Sequence, residues 1–286
     1  MSWRRYDLIY RLHSPLHIGY RRVGNLMQTR GYAPGRNLWA FLTARLTRDY
    51  AQDTSAYEAV GQEIMQYFRF TYLHPALPHQ SDQVAPSSLE ELKIYYAWSD
   101  SLFEYLFLDS YASTALDYAH RSAEDGALHE VTFLRPRTRP LPGMESMPVY
   151  LAGHIYVRQE WPDDSPLQWW REALKNIQIG GERTYGWGRM VRTSNLQEGR
   201  EQAPEIELKA GAHAPAHSLA VSHGQRSPVK AMRGTIEPLV GWERDNTPAR
   251  RRWRLTPHPA ICYAPGSRVM QEQKLQIGPM GILSSV

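Results

Sequence analysis

The side chains best suited to chemistry lie between Leu174 and Arg192, where the chain reads Leu-Lys-Asn-Ile-Gln-Ile-Gly-Gly-Glu-Arg-Thr-Tyr-Gly-Trp-Gly-Arg-Met-Val-Arg. Gly180, Gly181, Gly186 and Gly188 permit dihedrals and close approaches that a Cβ forbids, so main-chain N–H groups can line up against an anion or a sugar-phosphate chain. Arg183 and Arg189 add positive charge, and Tyr185 and Trp187 offer flat faces on which an unpaired base stacks. That combination suits single-stranded RNA better than a mononucleotide. The plainer use of the same residues is a tight surface connection whose aromatics cap the core.

Two nucleotide-binding loops are disfavoured by spacing. A P-loop needs Lys and then Ser or Thr after its last glycine, and here Arg189-Met190 follows. A dinucleotide fingerprint follows a strand and opens a helix, whereas this loop follows a helical pattern and opens a strand pattern.

A second chemistry is general-base catalysis of 2′-hydroxyl attack, for which His13 and His17 are the candidates. Their even spacing puts both on one face of an extended segment. Simple RNA contact or a structural role uses the same residues without cleavage. His213, His217 and His223 are flanked by Ala and Pro with no Cys or clustered acid to complete a zinc shell, so no metal site is expected. Glu124-Asp125 and Asp163-Asp164 are adjacent pairs suited to solvated turns rather than to acid/base work. The single cysteine, Cys262, excludes an intrachain disulfide and reads as a small buried hydrophobe. No cofactor is expected.

Charge points the same way. Of 33 basic residues all but Lys93, Lys175, Lys209, Lys230 and Lys274 are arginine, the side chain that forks onto phosphate and stacks on bases. A GC-rich genome also inflates arginine, so position must decide. From Leu8 to Arg48 there is no Asp or Glu, while Arg21, Arg22, Arg30 and Arg36 fall in that span as phosphate-gripping candidates. Arg135, Arg137 and Arg139 alternate with Pro136 and Pro140 as a second phosphate track, or as charge guarding an edge strand. The run Arg250-Arg251-Arg252 carries the same two readings. With 286 residues and 42% hydrophobic content the chain is long enough for a proper core. No apolar run reaches the length of a membrane span and the N-terminus lacks a signal-peptide pattern, so a cytoplasmic protein is expected.

The elements that must position these residues follow from periodicity. Asp7–Leu12 alternates as a first strand, residues 13–19 extend or bend it, and residues 20–31 form a basic loop. Leu38, Phe41, Leu42 and Leu46 recur at helical spacing, which predicts a helix over 36–50, with a second over 55–67. Residues 74–91 read as a surface loop. Strands are expected at 92–98, 126–134 and 149–157, then a helix over 167–177, the glycine loop over 179–189 and a strand at 190–193. That order, strand, helix, several strands, helix, loop, strand, predicts an α+β, ferredoxin-like (RRM-like) module with insertions over 1–195. Residues 196–286 then form a β-rich C-terminal extension or a degenerate second ferredoxin-like module, with strand-like runs at 217–221, 233–240 and 252–262.

Three stretches, in order, resemble the CRISPR-associated RAMP superfamily: Ser14–Gly19 with Tyr32–Ala40, Ala115–Asp117 with Ala123–Glu130, and Ile179–Arg189. Arg36-Asn37 and Trp39-Ala40 depart from that family's small residues and Arg-Gly at the opening of helix one. Tyr263–Val269 looks like a second, degenerate copy of that opening, which is similar to the Cas-five-type group of type III effector complexes. The resemblance implies a non-catalytic subunit that holds the 5′ handle of a crRNA, meets target RNA only indirectly, and contacts the large subunit and the backbone RAMP subunits. Backbone subunits of such complexes cut with an aspartate after the first strand, and residues 20–31 contain none. A repeat-processing endoribonuclease using His13 or His17, a backbone RAMP subunit and a protein-only assembly module remain as alternatives.

Overall fold

The computed structural model of the chain describes residues 2–51, 54–79, 85–197, 199–245, 252–256 and 259–286. The front two-thirds contains, in order, β1 (Arg4–Leu12), β2 (Gly19–Val23), β3 (Leu26–Thr29), α1 (Gly35–Asp49), α2 (Tyr57–Tyr67), β4 (Phe68–Phe70), β5 (His74–Pro78) and β6 (Leu92–Ile94). It continues with α3 (Phe103–Phe107), β7 (Leu108–Ser113), the small hairpin β8 (Leu116–Asp117) and β9 (Ser122–Ala123), β10 (His129–Leu134), β11 (Tyr150–Val157), α4 (Trp170–Ala173), β12 (Asn176–Gln178) and β13 (Arg189–Arg192).

An antiparallel sheet in the order β12-β13-β1-β11-β5-β6 carries this part, with β4 also paired to β11. Its alternation divides two faces. Tyr6, Leu8, Tyr10 and Leu12 of β1 and Leu151, Ile155 and Val157 of β11 are buried with Leu38, Leu42 and Leu46 of α1 and with Trp170 and Leu174. The i, i+4, i+8 spacing of the three α1 leucines is the helical stripe that the sequence predicts. Ile9, Ala152, His154 and Tyr156 point the other way, where Ile9 and Ala152 pack with Ala76, Leu92 and Tyr150 and Tyr156 joins the core of the tail.

The tail is all β among the described residues: β14 (Arg200–Glu201), β15 (Glu205–Leu208), β16 (Ser218–Leu219), β17 (Met232–Arg233), β18 (Ile236–Leu239), β19 (Trp242–Asp245), β20 (Arg252–Leu255), β21 (Ala260–Tyr263), β22 (Arg268–Val269), β23 (Gln273–Ile277) and β24 (Leu283–Ser285). Six of them form the sheet β15-β23-β24-β16-β21-β18. The tail does not stand apart. Leu208, Val229, Val269, Leu275, Ile277 and Leu283 share a core with Tyr32, Tyr72 and Tyr156 of the front part. Cys262 is fully buried, and burial pushes its thiol up to about 12.

Several expectations change in detail. The helix predicted over 167–177 is a 3-10 turn (Pro166–Trp169) and one turn of α4, after which Asn176–Gln178 goes to the sheet, because Ile177 and Met190 pair across β12 and β13 and are both buried. The basic loop 20–31 is a hairpin, turned by Gly24-Asn25 with Gly24 at φ +59°. The loop expected over 74–91 contains β5 and a capped 3-10 turn at Leu89–Glu91, and the strand expected over 92–98 stops at Ile94. Tyr263–Val269 does not open a helix: residues 265–266 make a turn and the chain re-enters a strand at Arg268. Among the described residues no helix is long and apolar enough to cross a membrane.

Candidate nucleic-acid interface

The glycine-rich span is the connection of the β12–β13 hairpin, and it is clamped onto the chain that leaves β1. Gly181 N–H donates to the His17 carbonyl at 2.8 Å, Gly188 N–H to the Pro15 carbonyl at 2.7 Å, and Arg189 N–H to Ser14 Oγ at 2.9 Å. Close approach dictates two glycines. A Cβ on Gly180 (φ +88°) would stand 2.4 Å from the His17 carbonyl oxygen, and one on Gly188 (φ +76°) 1.9 Å from that of Ile179. Within the loop, Tyr185 and Trp187 N–H donate to the Glu182 carbonyl and Gly186 N–H to that of Arg183, while the Gln178 amide donates to the Arg183 and Trp187 carbonyls. The amides of Gly181 and of the five residues 185–189 are thus engaged by the chain itself. The expectation that these N–H groups line up against an anion is corrected: they hold the loop, and the charge falls to side chains.

Those side chains divide. Arg183, Tyr185 and Arg189 are exposed, Tyr185 at 80%. Trp187 is half-buried and packs edge-on against Phe133 of β10, centroids 4.9 Å apart, and against Tyr111 of β7 at 6.5 Å. It is the wedge that seats the hairpin, and Tyr185 is the free ring.

The surface under the wedge is a four-stranded sheet in the order β2-β3-β10-β7, the β3–β10 pair parallel. Register assigns its faces, since paired residues share a side. Arg22 pairs Met27, Met27 pairs Val131, and Val131 pairs Tyr111, so Arg22 lies on the face of Tyr111, Phe133 and Trp187. Arg21 pairs Gln28 and lies on the opposite face, where its guanidinium bonds that side chain. Asp109 pairs Phe133 on the Arg22 face and accepts from Arg135 and, at 2.9 Å, from Arg139, leaving that trio with one net positive charge. Arg137 is exposed and donates to the Ser146 carbonyl.

Two arginines proposed to grip phosphate face elsewhere. Arg30 is committed inside, donating to Glu237 and to the Tyr32 hydroxyl at 2.9 and 2.8 Å and lying 4.7 Å over the Tyr20 ring. The bonding runs on in one sense: Glu237 also accepts from His217 Nε2–H, whose Nδ1 accepts from the Tyr72 hydroxyl at 2.6 Å. Burial holds the His217 ring below its ordinary range, and its two cationic and imidazole donors hold Glu237 down to about 2 against the opposing effect of burial. Arg36, at the start of α1, donates to Thr256 Oγ1 in the tail.

The two candidate bases separate as well. β1 ends at Leu12, and Leu16 bridges Leu134, so residues 13–17 are not one extended face. His13 is exposed beside Arg189, whose carbonyl accepts from its main-chain N–H at 2.9 Å. His17 is 8% exposed, with Nδ1 donating to the Thr132 carbonyl at 2.8 Å and its ring against Gly181. Among the described residues no group of three or more His, Cys, Asp or Glu could hold a metal ion. Arg250 and Arg251 lie outside the described residues. Sequence reasoning missed Tyr111 and Phe133; the alternation of Val131 with Phe133 and the Gly24-Asn25 turn were the readable signals of this sheet.

No protein-family model matches the chain, and no curated protein matches it in sequence. Its fold is similar to that of a chain in the type III-B Cmr-beta complex bound to cognate target RNA and AMPPnP, with a TM-score of 0.50 and 10% identity, over 92% of this chain and 85% of that one. A second chain of Cmr-beta bound to cognate target RNA aligns at TM-score 0.43 and 9% identity over 66% and 96%, and a chain of a type IV-B CRISPR complex at 0.42 and 10% over 70% and 94%.

Proposed function

We propose that the chain is an RNA-binding subunit of a type III CRISPR effector ribonucleoprotein, and that it holds the 5′ handle of the crRNA without cutting it. One observation carries this reading: a rigidly seated hairpin offers Tyr185, Arg183 and Arg189 to solvent over a sheet face that also presents Arg22 and Tyr111. An exposed ring among unneutralised arginines suits an unpaired strand. The strand order β13-β1-β11-β5, with α1 and α4 after the first and third of its strands in the chain, supports a ferredoxin-like RAMP module over 1–195. Residues 196–286 act as a β-rich extension that locks onto it. The large subunit and backbone RAMP subunits are the partners, target RNA is met indirectly through the crRNA, and the complex is cytoplasmic. His17, buried and bonded to Thr132, is assigned to holding the loop rather than to catalysis.

The test is sequencing of the small RNA that copurifies with the natively assembled protein. The expected result is a uniform 5′ tag of about eight nucleotides, within the roughly 4–16 that single-strand readers cover. Absence of RNA, or RNA of random ends, overturns the reading. Cleavage of repeat RNA in EDTA that a His13→Ala change abolishes would establish the endoribonuclease instead.

A further inference from the structure

Three arginines meet where the tail covers the start of the large sheet. Arg69 pairs with Tyr156 across β4 and β11, and Arg158 follows Tyr156 by two residues, so both side chains leave on the side where Tyr156 joins the core of the tail. Both lie against Trp3, their guanidinium carbons 4.7 and 5.5 Å from the centroid of its ring. The tail adds the third. Arg226 lies against Gly278, and the next residue, Pro279, accepts from the Phe70 N–H at 3.4 Å, which brings Arg226 to the end of β4 that carries Arg69.

Positive charge here exceeds what the chain supplies to offset it. Arg158 meets Glu160 at 3.6 Å. Arg69 donates only through Nη1, to the main-chain carbonyls of Met65 and Phe68 at 2.7 and 2.8 Å and of Gln66 at 3.5 Å. Among the described residues the Arg226 guanidinium makes no hydrogen bond or ion pair. Its Nη1 is sealed, but Nε and Nη2 of Arg226 and of Arg69 are neither bonded nor sealed, and the Arg158 side chain is 21% exposed. Burial, then the charges of Arg158 and Arg226, pull Arg69 down to about 10, which leaves it cationic at physiological pH. Like charges half withdrawn from water repel one another, and an anion held among them offsets that cost.

We propose that Arg69, Arg158 and Arg226 together bind one phosphate group in its dianionic form, the form that a phosphomonoester carries. Charge and donor count select this class. Three cations and the single carboxylate of Glu160 leave two positive charges, presented by three guanidinium groups. A carboxylate brings one charge and two oxygens, and a single guanidinium fork satisfies it. A phosphomonoester brings nearly two charges and three terminal oxygens, one for each arginine. A phosphodiester of an RNA backbone has one charge and two free oxygens, and would leave one of the three unmatched. The inference does not rest on the proposed function: the site stands at the start of β1, the hairpin is clamped to the chain that leaves its end, and they share no residue.

Calorimetric titration of the full chain at fixed ionic strength tests it, with inorganic phosphate, acetate, uridine 5′-monophosphate and a short RNA bearing either a 5′-phosphate or a 5′-hydroxyl as probes. Inorganic phosphate is expected to bind saturably, and acetate about tenfold more weakly or worse. Arg226→Met keeps the apolar stem, removes the charge, and is expected to weaken phosphate about tenfold. In phosphate-free buffer the same change is expected to raise the melting temperature by about 2 °C, because Arg69 loses a like-charged neighbour. An arginine with a purely structural role would lower it. Uridine 5′-monophosphate binding as well as inorganic phosphate would identify a small phosphoester as the source. A 5′-phosphorylated RNA that outbinds its 5′-hydroxyl form, with the difference lost in Arg226→Met, would identify a strand end. No saturable heat with phosphate at about 10 mM, acetate equal to phosphate, or unchanged phosphate affinity in a folded Arg226→Met protein overturns the proposal. Should the variant fail to fold, the contrast between phosphate and acetate in the unaltered chain decides.

Discussion

The seam between sheet and tail and the hairpin over the four-stranded sheet are built from the same residue types and put them to opposite uses. In the seam, Tyr32 and Tyr72 are buried, Arg30 is largely withdrawn from solvent, and their polar groups join one bonded chain: Arg30 with Glu237 and Tyr32, Glu237 with His217, His217 with Tyr72. In the hairpin, Arg183, Tyr185 and Arg189 are exposed, and only their backbone is tied down. An arginine with a carboxylate partner in a dry setting stabilises the fold and has nothing left for a ligand. An arginine in water beside a free ring contributes little to stability and keeps its charge for a polyanion. Stability and binding should therefore respond to different substitutions.

The largest expected effect is on the seam. Glu237→Ala leaves the largely enclosed Arg30 guanidinium without its carboxylate and removes the acceptor of His217, and should destabilise the chain by about 2–4 kcal/mol in urea unfolding. A loss under about 1 kcal/mol would mean that water replaces the carboxylate and that the seam is not dry.

Acid should loosen the same region. Burial lowers His74 from 6.5 to about 4 and lowers His217, and the bonds to Arg30 and His217 lower Glu237 from 4.5 to about 2. All three have folded values below their unfolded ones, so their stability is fully present above the unfolded value and is lost as pH falls through the folded one. For His74 that window runs from about 6.5 to about 4 and is worth about 3 kcal/mol; Glu237 follows between about 4.5 and about 2. Melting temperature recorded against pH should fall across this range, and His74→Gln should flatten its upper part. A flat profile from pH 6.5 to 4 would contradict the burial of the ring.

The seam also marks the limit of what the chain discloses before it folds. Glycine density at 180–188 and the leucine stripe of α1 are local, and both were legible because a turn and a helix are specified by neighbours in sequence. Arg30 and Arg22 are indistinguishable by neighbourhood. Arg30 is withdrawn from solvent by Glu237, 207 residues away, and no window over the sequence contains both. Trp187 and Tyr185 differ for the same reason, since Phe133 and Tyr111 claim one ring and leave the other. Asn176–Gln178 has a helical pattern and becomes a strand because Met190 offers Ile177 a buried partner, a tertiary term that local propensity does not contain.

On the hairpin the effects should be smaller and should appear in binding. Tyr185→Ala removes an exposed ring, so unfolding should shift by less than about 0.5 kcal/mol. Affinity for single-stranded RNA should fall by about 1–3 kcal/mol, the value of one stacked base. Trp187→Ala should do the reverse in part, lowering stability through the lost packing on Phe133. If Tyr185→Ala left RNA affinity unchanged, the ring would be a surface cap and the hairpin would belong with the seam.

The smallest effect discriminates most finely. Arg21 and Arg22 are adjacent and both exposed, but strand alternation sends them to opposite faces, and only Arg22 shares a side with Tyr111 and Trp187. Each phosphate contact on a single strand contributes about 0.7 to the slope of log affinity against log salt. Arg22→Ala should therefore reduce that slope by about 0.7, and Arg21→Ala should leave it unchanged. Equal reductions would mean that the strand wraps the β2 edge and meets both faces. A reduction for Arg21 alone would put the RNA on the side away from the hairpin, and the two surfaces would then not form one groove.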